Sequence, residues 1–226
     1  MRVVPPITAL LGLAACSGVI GGADDADDGR SALRTVGTAL IGAVASPPRP
    51  APPDPDVVRA QLTPEVVAAL PGPTLLVVLE RVGAISLPGQ VARNGDVATF
   101  ETEDAITLSL RQGLLVATRG LGFDLMSADV DEPLAAILSR ADGATATRSQ
   151  TYLDAENRAV RRSFACGYRT ARSGAAGPGI VRVHETCRGR GLAFENRYDL
   201  RGTRIVASRQ WIGPFHGHLE IEQVRF

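Results

Sequence analysis

The chain has 226 residues, three of them Cys, and its 24 basic residues, all Arg, balance 24 Asp plus Glu. A formal net charge of zero supplies no field for a nucleic-acid backbone or an anionic lipid surface. Aromatics at 4% argue against an extended aromatic sugar platform, and the length allows one or two domains with a real core.

The chain opens Met1-Arg2, followed by an apolar run from Val3 to Ala15. The run is shorter than the roughly 20 residues a bilayer span needs. A positive start, a short apolar stretch and small residues before a cut mark a secretory signal peptide over residues 1–15. Leu13-Ala14-Ala15-Cys16 resembles the lipobox of bacterial lipoproteins. That resemblance implies lipid transfer to the Cys16 thiol, cleavage just before it, and acylation of the new amino group. Each buried CH₂ of such an anchor contributes about 0.8 kcal/mol, so several acyl chains hold a protein stably at a membrane. Ser17, rather than Asp, follows the cysteine, which favours the outer membrane over inner-membrane retention.

Residues 16–30 are small, Gly-rich and acidic and read as a solvated tether. Asp24, Asp25, Asp27 and Asp28 lack the Gly and Glu spacing of a calcium loop. Residues 31–70 read as a helical segment with a Pro-rich connector. Ala32, Leu33, Val36, Ala39, Leu40, Ala43 and Val44 recur at helical spacing over Ser31 to Ser46. The stretch "SPPRPAPPDPD" is extended, and a second helix is expected over Pro55 to Leu70, restarted at Thr63-Pro64.

From residue 71 the pattern changes to strands, expected to form an antiparallel meander, a sandwich or open barrel-like domain of the mainly β class. Asn94-Gly95 predicts a two-residue hairpin. Arg111-Gln112-Gly113 makes the next turn, and Gly120 and Gly122 serve a turn rather than a dinucleotide fingerprint. A short helix is expected over Asp129 to Arg140, with Asp131 or a neighbour as cap. Further turns fall near 154–158, 173–179, 188–191 and 201–203. No strand alternates with a 10–15-residue helix, so a parallel sheet is disfavoured.

Cys166 and Cys187 sit symmetrically about the turn at 173–179 and would face each other across two arms. In an exported chain this predicts a disulfide, a structural staple without C-x-x-C spacing. His216 and His218, two apart on an expected strand with Glu220 and Glu222, could face one way, but no third histidine has a defined spacing, so no metal is expected. Asp124, Asp129, Asp131 and Glu132 have no fixed separation for glycosidase chemistry. No catalytic residue and no cofactor are expected. Arg209 and the single Trp211 are the candidate ligand or partner contact, although a lone Trp in a β domain is more often core.

The stretches "LRQGLLVATRGLGFDLMSAD", "SRQWIGP" and "GHLEIEQVRF" resemble the YjbF/GfcB-type lipoproteins of exopolysaccharide and group-four capsule gene clusters, over about Leu75 to Phe226. The resemblance implies a β-rich periplasmic domain tethered to the outer membrane. It implies a non-enzymatic part in polysaccharide production or export, beside an outer-membrane barrel protein and a soluble periplasmic export protein. His216 and His218 match no motif of that family. A polysaccharide-modifying enzyme and a structural envelope lipoprotein are the alternatives.

Overall fold

Alternation of side chains across a pleated backbone explains most of the architecture. The computed structural model describes residues 53–154, 156, 158–172 and 177–226, which fall in one compact unit, Ala51–Phe226. Cys16, the tether and the helix expected over Ser31 to Ser46 lie outside the described residues. Two short helices come first, α1 (Pro55–Gln61) and α2 (Pro64–Ala69). The break falls at the expected restart, because Pro64 has no N–H to continue the first helix, while the Thr63 hydroxyl caps the second by accepting from Val66 N. Neither helix buries a residue of its own. They are tied down by Arg59, which donates to Glu220 and Glu222, and by Arg225, which donates to the Ala68 carbonyl.

The strands are β1 (Thr74–Leu79), β2 (Ala84–Ser86), β3 (Gly89–Asn94), β4 (Val97–Glu101), β5 (Thr107–Arg111), β6 (Leu114–Arg119) and β7 (Leu125–Asp129). After α3 (Asp131–Ser139) come β8 (Thr145–Leu153), β9 (Ala159–Arg172), β10 (Ile180–Gly189), β11 (Leu192–Arg201), β12 (Arg204–Gly213) and β13 (Gly217–Arg225). These form one antiparallel sheet in the order β6-β5-β4-β3-β1-β13-β12-β11-β10-β9-β8-β7, with β2 paired to β1. The C-terminal strand β13 lies beside β1, which joins the two halves of the meander. The sheet curls into a nearly closed barrel, and its two end strands, β6 and β7, are joined by the short loop 120–124.

The seam is closed by side chains. The Thr118 hydroxyl donates to Asp124 and accepts from Leu125 N, while Arg119 donates to the Leu125 and Met126 carbonyls. Inside, Leu75, Val77, Phe100, Leu108, Leu110, Leu115, Ile205, Leu219 and Ile221 fill the half built by β1, β4–β6, β12 and β13. Phe164, Phe194, Tyr152 and Trp211 form an aromatic cluster in the other half. Cys166 stands opposite Cys187 in the β9–β10 register, and the two are disulfide-bonded within this interior. A 21-residue separation makes such a link worth about 3 kcal/mol in the chain-entropy account.

Two local readings differ from the sequence expectation, at the first hairpin and at His216, and the α3 cap is made definite. The first hairpin loop is Gly95-Asp96, because Asn94 pairs with Val97 and the left-handed φ of 59° falls on Gly95. In α3 the N-cap is Val130; Asp131 is already helical, and its N–H is taken by the Asp129 carboxylate. His216 sits in the turn before β13, not on the strand.

The β5–β6 turn depends on glycine. Gln112 and Gly113 both have positive φ, 49° and 94°, as a tight two-residue hairpin of this hand requires. A Cβ on Gly113 would also lie 2.9 Å from the Ile205 Cβ. We expect Gly113→Ala to lose about 1–3 kcal/mol of stability in urea denaturation; a midpoint equal to that of the parent would show that the turn relaxes without cost.

Candidate functional site

Three places concentrate chemistry: the barrel interior, one barrel end and the outer face. In the interior, alternation along β8 turns Arg148, Gln150 and Tyr152 inward, while β10 turns in Val183, Glu185 and Cys187 and β11 turns in Phe194, Asn196 and Tyr198. Glu185 is fully buried and accepts five hydrogen bonds. Arg148 donates from Nε and Nη2 at 3.0 Å each, Tyr168 at 2.6 Å, Tyr198 at 2.8 Å and Asn196 at 2.7 Å. Asn196 then accepts from Trp211 N, so the network continues onto β12. There Gln210 works like a fragment of strand, accepting from Leu115 N and donating to the Gly113 carbonyl across the barrel.

Burial by itself would raise the Glu185 carboxyl, but Arg148 and the surrounding donors outweigh it and hold the group below its ordinary value of 4.5. Burial also pushes the hydroxyls of Tyr152, Tyr168 and Tyr198 upward, so they stay protonated donors. Cys166, Glu185 and Cys187 bring their ligand atoms within 4.8 Å of one another, but both sulfurs are spent in the disulfide, so the trio is not a metal set.

At the barrel end, Phe123 and Phe215 stack with ring centroids 4.1 Å apart and remain partly exposed. Phe123 holds a left-handed φ of 47°. The two loops are tied by His216 Nε2 at 2.5 Å from the Gly122 carbonyl and by Arg81, which donates to the Pro214 and Phe215 carbonyls. Tyr152, Val160 and Arg162 complete a cleft of about 320 Å³.

The outer face carries the remaining residues singled out in the sequence. Arg209 reaches across β13 to Glu80, with both carboxylate oxygens engaged, and this pairing lowers the Glu80 carboxyl. Trp211 is 8% exposed and stacks on Phe194 with centroids 4.3 Å apart, so Arg209 and Trp211 lie on opposite sides of β12. His218 binds the Glu195 carbonyl through Nε2 at 2.8 Å, and burial lowers its pKa. His216 and His218 therefore engage separate carbonyls and do not converge. The acidic residues of 124–132 are divided too: Asp124 accepts from Thr118, Gly120 N and Leu121 N, Asp131 pairs with Arg111, and Glu132 accepts from Thr147 N. Beside them, β8–β11 form an open outer groove of about 970 Å³ that sequence reasoning did not find. Its only sequence signal is the pair Ala165 and Gly167, small residues two apart on the solvent side of β9.

A family model described as "Group 4 capsule polysaccharide lipoprotein gfcB, YjbF" matches residues 34–224. No curated protein matches the chain. Among solved structures, the crystal structure of the hypothetical lipoprotein YmcC from Escherichia coli (K12) is similar, at 17% identity and a TM-score of 0.62. The match covers 76% of this chain and 93% of that one and shows a shared fold.

The interior network generates two predictions. Glu185→Gln leaves the Arg148 charge buried and unpaired, and we expect a loss of about 3–5 kcal/mol in urea denaturation. Arg148→Met combined with Glu185→Gln removes both charges and keeps an acceptor for the tyrosines, so it should lose less than Glu185→Gln alone; an equal or larger loss would contradict the pairing. Because the folded carboxyl lies below its unfolded value, its contribution is present above about pH 4.5 and disappears as pH falls through the folded value. The parent should therefore lose stability more steeply than Glu185→Gln as the solution is acidified from pH 4.5.

Proposed function

The chain belongs to the group 4 capsule polysaccharide lipoprotein family, YjbF/GfcB, and from that premise we propose that it assists the production or export of a surface polysaccharide without catalysing a reaction on it. The observation that carries this reading is the family match over residues 34–224, nearly the whole chain. The lipobox-like Leu13-Ala14-Ala15-Cys16 supports an anchor in the outer membrane with the β domain on its periplasmic side. The division of the acidic residues into separate caps, turns and ion pairs supports a binding rather than a catalytic role. An outer-membrane barrel protein and a soluble periplasmic export protein are the proposed partners.

Deleting the gene in a polysaccharide-producing strain should lower the surface polymer while growth continues. Cys16→Ser should move the protein from the membrane to the soluble fraction and reduce the polymer to a similar degree. Unchanged polymer after deletion would refute the reading, and new reducing ends released from the polymer by the purified protein would refute its non-enzymatic part.

A further inference from the structure

The outer groove has a layout that neither the fold nor the interior network requires. Its floor follows from the strand register. Thr145, Gly167 and Thr186 form one cross-strand row, and Thr147, Ala165 and Arg188 form the next. Arg169, opposite His184, stands two residues further along β9. Gly167 is in mid-strand and exposed, its φ is not left-handed, and a Cβ there would meet nothing within 4 Å. Glycine weakens a strand interior, and Thr or Val would pair better between two threonines. Backbone conformation and packing therefore do not explain the residue, and close approach by something outside the chain does.

The charges point the same way. Some arginines of the outer face are paired, Arg182 with Asp199, Arg209 with Glu80, Arg59 with Glu220 and Glu222, while Arg161, Arg190 and Arg201 lie away from the groove without an ion pair among the described residues. Arg169 and Arg188 have no acidic partner among the described residues. They stand at opposite ends of the Gly167 floor, separated by roughly 13 Å along the strands. Glu132 and Glu195 flank the floor, which disfavours a continuous row of phosphates. The lining holds no exposed aromatic or large aliphatic anchor of the kind a protein interface uses. Hydroxyls, separated guanidiniums and flanking carboxylates around a flat small-residue floor match a chain of hydroxylated rings that carries acidic groups.

We propose that this groove binds a segment of acidic polysaccharide, with its rings over Ala165 and Gly167 and its anionic substituents on Arg169 and Arg188. The inference rests on the polysaccharide reading above and adds the site and the charge of the ligand. Guanidinium–carboxylate pairing would supply orientation and salt sensitivity, and the threonine hydroxyls would meet ring hydroxyls.

The test uses the full-length lipoprotein in detergent micelles and the producing cell's own purified surface polysaccharide, labelled at its reducing end, with binding read by fluorescence anisotropy. Gly167→Val should be at least as resistant to urea as the parent yet bind about tenfold more weakly or worse, because the side chain fills the floor. Arg169→Gln with Arg188→Gln, both at exposed positions, should weaken binding by about tenfold or more and flatten its salt dependence. Parent-like binding by the arginine double variant, or equal binding of the parent to neutral dextran of the same length, would overturn the proposal. So would Gly167→Val that keeps polymer binding but no longer co-purifies with an envelope protein, since the groove would then seat a protein. The cellular arm separates the two readings. If deletion lowers the polymer but the groove variants restore it fully and bind normally, the groove assignment fails alone. If deletion changes nothing while the parent still binds the polymer through these residues, the groove stands and the export reading fails.

Discussion

A carboxylate with no access to water has to find all of its partners inside the protein, and Glu185 finds them on three neighbouring strands. That requirement constrains the register of β8, β9, β10 and β11 together. A slip of one residue in any of them would turn its inward row to solvent and strip the carboxylate of a donor. The apolar residues of the same strands could tolerate alternative packings more easily, because dispersion and hydrophobic burial have no direction. Net stability from a buried ion pair is small after desolvation. Its contribution here is to select one register among several that would bury similar area.

The disulfide and the side-chain amides extend the same constraint. Cys166 and Cys187 join β9 to β10 one row from Glu185, in the interior rather than at the surface. Asn196 passes the network to the backbone of Trp211, and Gln210 carries it across the lumen to the β5–β6 hairpin. A long meander closes only if its ends are held, and here β6 and β7 meet through Thr118, Asp124 and Arg119 rather than through a ladder of backbone bonds. The lumen is thereby filled and its polar groups are engaged with one another. The barrel end and the outer face carry the exposed side chains, and a β-sheet presents them there as a broad, evenly spaced surface.

Much of the fold is legible in one dimension because turns are local. The glycine, proline and acidic clusters at 154–158, 173–179, 188–191 and 201–203 are the β8–β9, β9–β10, β10–β11 and β11–β12 connections. Once the 173–179 turn is placed, counting outward brings Cys166 opposite Cys187. The interior of β8 was not legible: its inward row is Arg148, Gln150 and Tyr152 and its outward row is Thr and Ser, so neither side shows apolar alternation. The histidine pair reads as one strand face only until the turn before β13 is known, which leaves His216 outside the strand. The outer groove escaped as well, because Thr145, Gly167, Thr186 and Arg188 come from three strands and become neighbours only through pairing.

The sequence by itself determined the β class, the antiparallel order of turns, the lipobox-like start and the cysteine pairing, all of which rest on spacing along the chain. Only the tertiary structure decided which side of each strand faces the lumen, that a glutamate rather than an aliphatic residue sits at its centre, and which arginines stay without an acidic partner on the outside. The physical reason is that facing and partnership are properties of register between strands distant in sequence, and a buried charge becomes acceptable only when its partners, gathered from those strands, are already in place.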